Sequence, residues 1–477
     1  MSHMSEQAAW AEAEFGQARL KDVRRVERLM AIATRVASTP AGKVTEVFTE
    51  GADRQATYKF LSNPKVDTAA IRKAAHVAGA RRCAEEPFAF VPIDQSSLTI
   101  TDMLCAKQLG SVGYGANKSR GIQVMTALVV SPDGTPQGLA GQCYWSRQAR
   151  QKTPERQKAW DRRKKPTKDK ETQYWIDGLD QAKAAFADGA PNARCWPQLD
   201  RGGDNWPVLQ HALELDVWIT VRASHDRRLV VQPGDRRRRY LRETVEQQDP
   251  LGDFLLEVPP GPHRTARTAT MQVRAVAVTL DLKDHRTSRH HSVPMWAVHT
   301  RELERPPSGE ARIEWLLLTR YPVHDLVDAQ TVVFGYSMRW RIEGFHYAWK
   351  SGGCQIEDTQ LGDFDTIVRW ASILSSVAVR IQRLMYLSRH QPDLPATVEL
   401  TQAEIDAVIF VREPNGYQLG DVPTIGQVVE WIAREGGYTG KSSGGPPGAR
   451  VIARGLDRLA AVIRKFSRAT DGGKEIG

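Results

Sequence analysis

The chain has 477 residues, of which 41% are apolar and 26% charged; this fits a globular protein of two to four domains and excludes a disordered chain. A formal net charge of +10 favours a polyanionic partner, and with no apolar run near the roughly 18 residues of a membrane span and no signal-peptide core the expected location is the cytosol. Five scattered cysteines (Cys83, Cys105, Cys143, Cys195, Cys354) without a CxxC pair argue against a disulfide framework and against zinc.

Residues 5 to 80 read as helical. Trp10, Phe15, Leu20, Leu29, Ile32 and Val36 recur among clustered bases, Lys21, Arg24, Arg25, Arg28 and Arg35. Arg24 and Arg28 share one helix face, which suits contact with successive phosphates and equally suits a solvated basic face. A turn is expected at Asn63-Pro64, with Asp67 capping the helix that carries Ile71 and Arg72.

The next segment alternates. Phe88 to Ile93 is a short apolar run that ends at Asp94 and reads as a buried strand delivering a carboxylate to its end. Gln123 to Val130, the turn Asp133-Gly134 and Gln137 to Trp145 make a hairpin. A basic stretch (Arg162, Arg163, Lys164, Lys165, Lys168, Lys170) precedes a helix over Glu171 to Asp188. Arg194 to Leu199 then leads to Asp200, and Val217 to Arg222 is a further strand. This is the element order of an α/β, ribonuclease H-like fold, in which the first and fourth strands are neighbours, so Asp94 and Asp200 are expected close in space. Two features count against a regular strand end there. Pro197 suggests an edge or irregular strand, and Gly202-Gly203 loosen the turn, leaving Asp204 as an alternative to Asp200.

Between Arg222 and Tyr336 strands dominate: Phe254 to Val258, Met271 to Leu282, Met295 to His299 and Ile313 to Thr319. A β-rich insertion at about 225–320 is expected, with Arg236 to Arg239 as a solvated loop or a phosphate contact. Tyr336 to Lys350, YSMRWRIEGFHYAWK, has no Pro and mostly good helix formers, so one helix is expected. At about 100° per residue, Tyr336, Arg339, Glu343 and Lys350 share a polar face, while Phe334, Met338, Ile342, Phe345 and Trp349 line the other. Arg339 and Glu343 alone also read as an i, i+4 surface ion pair.

The spacing Tyr336-x2-Arg339-x3-Glu343-x6-Lys350 resembles the signature of bacterial DDE transposases of the insertion sequence four family. That resemblance implies that Glu343 joins Asp94 and Asp200 as three metal-binding, catalytic carboxylates. It implies that Tyr336, Arg339 and Lys350 hold DNA phosphates, that Arg222 lies near the active site, and that Trp315 lines a pocket for a flipped base. Trp10, Arg24-Arg25, Tyr58, Phe60, Asn63-Pro64 and Ala70 to Lys73 are similar, in order, to the family's end-recognition domain, which makes Arg24, Arg25, Arg28 and Tyr58 candidate DNA contacts. The chain departs from the family at Asp200-Arg201-Gly202-Gly203-Asp204, where Asp-Arg-Glu-Ala-Asp is common.

Toward the C-terminus a helix is expected over Ser372 to Arg389, a capping box at Thr401-x-x-Glu404 and a helix over Thr424 to Arg434. Ile452, Leu456, Leu459, Ile463 and Phe466 follow a 4-3-4-3 spacing that reads as an internal core helix or, as the resemblance implies, a dimer seam. The expected division is 5–80 for end recognition, 81–224 and 321–372 for the catalytic core, 225–320 for the insertion and 373–477 for dimerisation. Cleaving phosphodiesters calls for hard oxygen ligands around two Mg²⁺ ions, with Mn²⁺ able to substitute. The resemblance implies cut-and-paste transposition by a bacterial, nucleoid-associated homodimer acting on double-stranded transposon ends, through a DNA hairpin, and on target DNA. A nuclease or integrase of the same fold and a non-catalytic DNA-binding regulator are the alternatives.

Overall fold

The computed structural model describes residues 6–113, 119–147, 165–231, 238–258, 264–441 and 444–472; Arg162, Arg163, Lys164, Arg236 and Arg237 lie outside them. Five helices open the chain: α1 (Glu6–Phe15), α2 (Val23–Ser38), α3 (Val44–Val47), α4 (Gly51–Ser62) and α5 (Thr68–Arg81). Asp67 caps α5 as expected, accepting from the Ala69 amide at 2.8 Å, and Asp22 caps α2 through the Arg24 amide at 3.1 Å.

A ten-stranded sheet follows, made of β1 (Phe88–Thr99), β2 (Gly110–Ser111), β3 (Arg120–Val130), β4 (Pro136–Trp145), β5 (Arg194–Leu199), β6 (Thr220–Arg222), β7 (Gly252–Val258), β8 (Arg267–Lys283), β9 (His290–Glu302) and β10 (Glu314–Thr319). Its order is β3-β1-β5-β6-β10-β9-β8-β7, with β2 and β4 both on the far side of β3. Between β4 and β6 lie α6 (Thr172–Gly189) and α7 (Trp206–Glu214), and α8 (Leu241–Glu246) precedes β7. The strands of the 225–320 stretch extend this same sheet, because β10 pairs antiparallel with β6 through Leu317↔Arg222 and Thr319↔Thr220.

Three expectations are corrected. β1 does not stop at Asp94 but runs to Thr99, since Gln95 to Thr99 continue pairing with β3 as far as Thr99↔Gly121. β5 is an interior strand despite Pro197; β6 pairs with it only at Gln198 and Leu199, so the proline sits where β5 has a single neighbour. The Tyr336 to Lys350 run is not one helix. α9 (Leu326–Ser337) ends, α10 (Trp340–Tyr347) begins, and Ala348–Gly352 is a π-turn. At the break the Ser337 hydroxyl donates to the Phe334 carbonyl at 2.6 Å, and the Arg339 amide donates back three residues to Tyr336, the tightening that side-chain competition for carbonyls produces.

Alternation along β1 assigns the two faces of the sheet. Ala89, Val91 and Ile93 join α6 and α7 in one core, whereas Phe90 joins α9, α10 and the long helix α11 (Phe364–His390) in the other. Helix α11, at 27 residues about 40 Å long, carries the chain from that core into a third cluster with α12 (Gln402–Arg412), α13 (Ile425–Glu435) and α14 (Ala449–Gly472). Thr401 and Glu404 form the expected capping box. Ile452, Leu456, Leu459 and Ile463 are at most 1% exposed and belong to this third cluster, so these four positions form an internal core face.

Two arginines and a tyrosine of α11 tie it to the rest. Arg383 donates to the Pro136 carbonyl at 2.7 Å, Tyr386 to the Asp133 carbonyl at 2.9 Å, and Arg369 to the Leu61 carbonyl. Within the C-terminal cluster, Arg380 pairs with Glu404 at 2.7 Å, with side chains 5% and 1% exposed. Removing one partner of such a pair strands a buried charge. Glu404→Leu should therefore lower unfolding free energy by about 3–5 kcal/mol in a denaturant titration, and adding Arg380→Met should restore most of that loss.

Candidate active site

The site lies on the sheet face shared by Phe90 and α9. The parallel register of β1 and β5 ends at Ile93↔Leu199, so the next residue on each strand is an aspartate, Asp94 beside Asp200. Strand periodicity turns Asp94 to the same face as Phe90. On that face a Cβ at Gly335 would fall 2.4 Å from the Phe90 ring; only glycine lets α9 press this close to β1. The tightened turn then starts α10, which carries Arg339 at its N-cap and Glu343 in its first turn.

These residues meet. Arg339 donates from Nη1 to Asp94 Oδ2 at 3.1 Å and from Nη2 to Glu343 Oε1 at 3.2 Å. Burial raises the Asp94 pKa to about 6, Asp200 and Glu343 adding to the rise and Arg339 opposing it. Asp200 and Glu343 are thus each within electrostatic reach of Asp94. For Arg339, burial disfavours the charge, but Asp94, Tyr336, Glu343 and Asp200 outweigh it and hold the pKa above its ordinary value.

The glycines after Asp200 tighten the turn rather than loosening it. Asp200 caps a 3₁₀ turn over Arg201–Gly203 by accepting from the Gly202 amide at 2.7 Å. A Cβ at residue 202 would meet Asp200 Oδ1 at 2.9 Å and the Trp175 ring at 3.0 Å, and one at 203 would meet Leu199 at 2.5 Å. Asp204, the other aspartate of this turn, has its oxygens engaged. It is buried, and it accepts from the Ser224 amide and hydroxyl at 2.7 and 2.9 Å and from Arg227 Nε at 2.8 Å.

Tyr336 is buried behind Arg339, its pKa raised by burial, with Arg339 and Arg222 opposing the rise from beside its hydroxyl. Its ring meets Trp315 edge-on at 5.2 Å, and Arg222 also donates to the Glu314 carbonyl at 3.2 Å. Tyr336, Arg339, Arg222 and Trp315 therefore form one cluster against the acids. Lys350 is elsewhere, in the π-turn, 3.6 Å from Glu357. In the N-terminal helices Arg24 is 85% exposed, Arg28 lies 3.8 Å from Asp53 and Tyr58 is half-buried. Arg25 donates to the Leu20 carbonyl at 2.9 Å, and this tie holds the turn before α2.

A second polar cluster had no signal in the sequence. Among the described residues, Glu246, His299 and Glu314 bring their ligand atoms within 4.8 Å of one another. A cation is already there: Arg242 Nη1 lies 2.8 Å from Glu314 and 3.4 Å from Glu246. This is an arginine-centred network that ties α8 to β10, the strand of Trp315.

Two family models match the chain. A transposase DNA-binding model covers residues 7–66, helices α1 to α4, and a Tn5 transposase dimerisation-domain model covers residues 376–474, the end of α11 and the cluster beyond it. They assign the chain DNA and a second copy of itself as partners, and among the described residues no helix is long and apolar enough to cross a membrane. A DNA-binding module before the sheet and a dimerisation module after it indicate a Tn5-like transposase, consistent with the insertion sequence four family.

Proposed function

We infer that this transposase cleaves transposon ends and joins them to target DNA with Asp94, Asp200 and Glu343 as its catalytic carboxylates. The observation that carries the reading is the convergence of three remote segments: two adjacent strand positions past Ile93↔Leu199 and one helix tied to the first of them through Arg339. The order β4-β3-β1-β5-β6, with β5 and β6 parallel to β1 and β3 antiparallel, supports a ribonuclease H-like core, and β7 to β10 fit an insertion that prolongs its sheet.

The donor set fits Mg²⁺ or Mn²⁺: three carboxylates, no thiol or imidazole among them, and a guanidinium bridging two of them as a cation would. Asp94, Asp200 and Glu343 would hold two such ions, whose chemistry is to acidify a water or 3′-hydroxyl and neutralise charge on the phosphate. The chain's own groups do the rest. Tyr336, Arg222 and Arg339, with Lys350 farther along, orient the DNA strand by its phosphates. Trp315, half-buried against Tyr336, offers a ring face for an unstacked base, which suits an end that is cut through a hairpin. Arg24, Arg25, Arg28 and Tyr58 are the candidates for contact with the terminal sequence. Dimerisation suits a reaction that must hold two ends together, which a nuclease acting alone does not need.

Asp94→Ala, Asp200→Ala and Glu343→Ala should each abolish strand cleavage on the terminal repeat in Mg²⁺ while leaving end binding in a gel-shift assay; cleavage retained by any of them removes that residue from the site. A second outcome concerns stability without metal. Because folding raises the Asp94 pKa to about 6, the acid's favourable contribution is present below the unfolded value and is lost as pH rises through 6. In EDTA, Asp94→Asn should therefore be more stable than the parent by about 1–3 kcal/mol at pH 8, read by thermal melting, with the difference shrinking as pH falls toward 4.

A further inference from the structure

The Arg339 guanidinium stands where a cation belongs. Its two Nη atoms bridge acids from opposite walls of the site, Asp94 on β1 and Glu343 on α10, at 3.1 and 3.2 Å. The side chain is 11% exposed, against 48% for Glu343, and its guanidinium lies 5.0 Å from the Trp340 ring centre. One donor is unused: Nε is buried and has no acceptor among the described residues. A buried donor without an acceptor is costly, so this position is one that a new acceptor, above all a phosphate oxygen, improves on.

Resting on the reading of Asp94, Asp200 and Glu343 as the metal-holding acids, we propose that Arg339 is an internal counter-cation that excludes divalent ions from the site until DNA draws it away. The carboxylate oxygens that hold the guanidinium are those an ion would need, and two cations on them repel. A DNA phosphate gives Arg339 another anionic partner, including for Nε, and releases Asp94 and Glu343 together. The coupling is reciprocal: whatever factor DNA adds to metal affinity, metal adds to DNA affinity. An enzyme built this way keeps its cutting site unloaded while no end is bound.

The test uses the full-length, DNA-free protein and Mn²⁺ as the probe, with unbound ion counted by electron paramagnetic resonance. Arg339→Gln should bind Mn²⁺ at least tenfold more tightly than the parent, Arg339→Lys should stay close to the parent, and adding Glu343→Gln to Arg339→Gln should abolish the gain. Arg339→Met, which keeps the stem packed on Trp340, serves as a second variant if the glutamine variant melts early. An affinity within twofold of the parent in both neutral variants overturns the counter-cation role. The underlying reading fails separately, if Asp94→Asn leaves Mn²⁺ binding to the DNA-bound protein unchanged.

Discussion

The structure depends on one stretch of parallel pairing. β1 and β5 run side by side from Phe88↔Arg194 to Ile93↔Leu199, and the side-chain period of a strand makes register decisive: a slip of one residue would turn one of the following aspartates to the opposite face. Held in this register, Asp94 and Asp200 are the residues that directly follow the last pair, Ile93↔Leu199. The aromatic packing beneath them, Phe90 against Trp196 at 5.2 Å and Phe88 against Trp196 at 5.4 Å, fills the space between the two strands on the face of Phe90 and fixes it.

The third acid depends on a different contact. Gly335 lets α9 lie against Phe90 closer than any side chain would permit, and the turn at Ser337 to Arg339 redirects the chain so that α10 presents Arg339 and Glu343 together. Most apolar positions of this segment remain a packing surface: Met338, Ile342, Phe345 and Trp349 are buried, whereas Phe334 is 40% exposed. Packing and chemistry are thus separated by face, as an amphipathic segment requires, although the segment changes helix type twice.

Much of this was legible in the residues, and the parts that were not share a cause. Strand order around Asp94 and Asp200, the Asp67 cap and the Thr401 capping box follow from local patterns and turn chemistry. The extension of β1 through Gln95 to Thr99 does not, because its polar residues resemble a loop and their partners on β3 are distant in sequence. Nor does the break after Ser337, where every residue is an acceptable helix former and a hydroxyl decides the matter. Gly202 and Gly203 looked like slack, yet contacts with Trp175 and Leu199, invisible locally, demand them. The 4-3-4-3 spacing of Ile452 to Phe466 fits a core helix and a coiled seam equally well until the facing helices are known.

The proposed site is also locally unfavourable as it stands. Burial and neighbouring acids raise the Asp94 pKa, and one guanidinium must serve two carboxylates, a conflict of the kind that active sites retain and structural ion pairs such as Arg380–Glu404 resolve. The most direct measurement is anomalous X-ray scattering from crystals of the protein with Mn²⁺ and a duplex carrying its terminal repeat. The account predicts peaks bounded by Asp94, Asp200 and Glu343, with Arg339 turned onto a phosphate. Peaks confined to Glu246, His299 and Glu314, or none beside the three acids when DNA is bound, would contradict it.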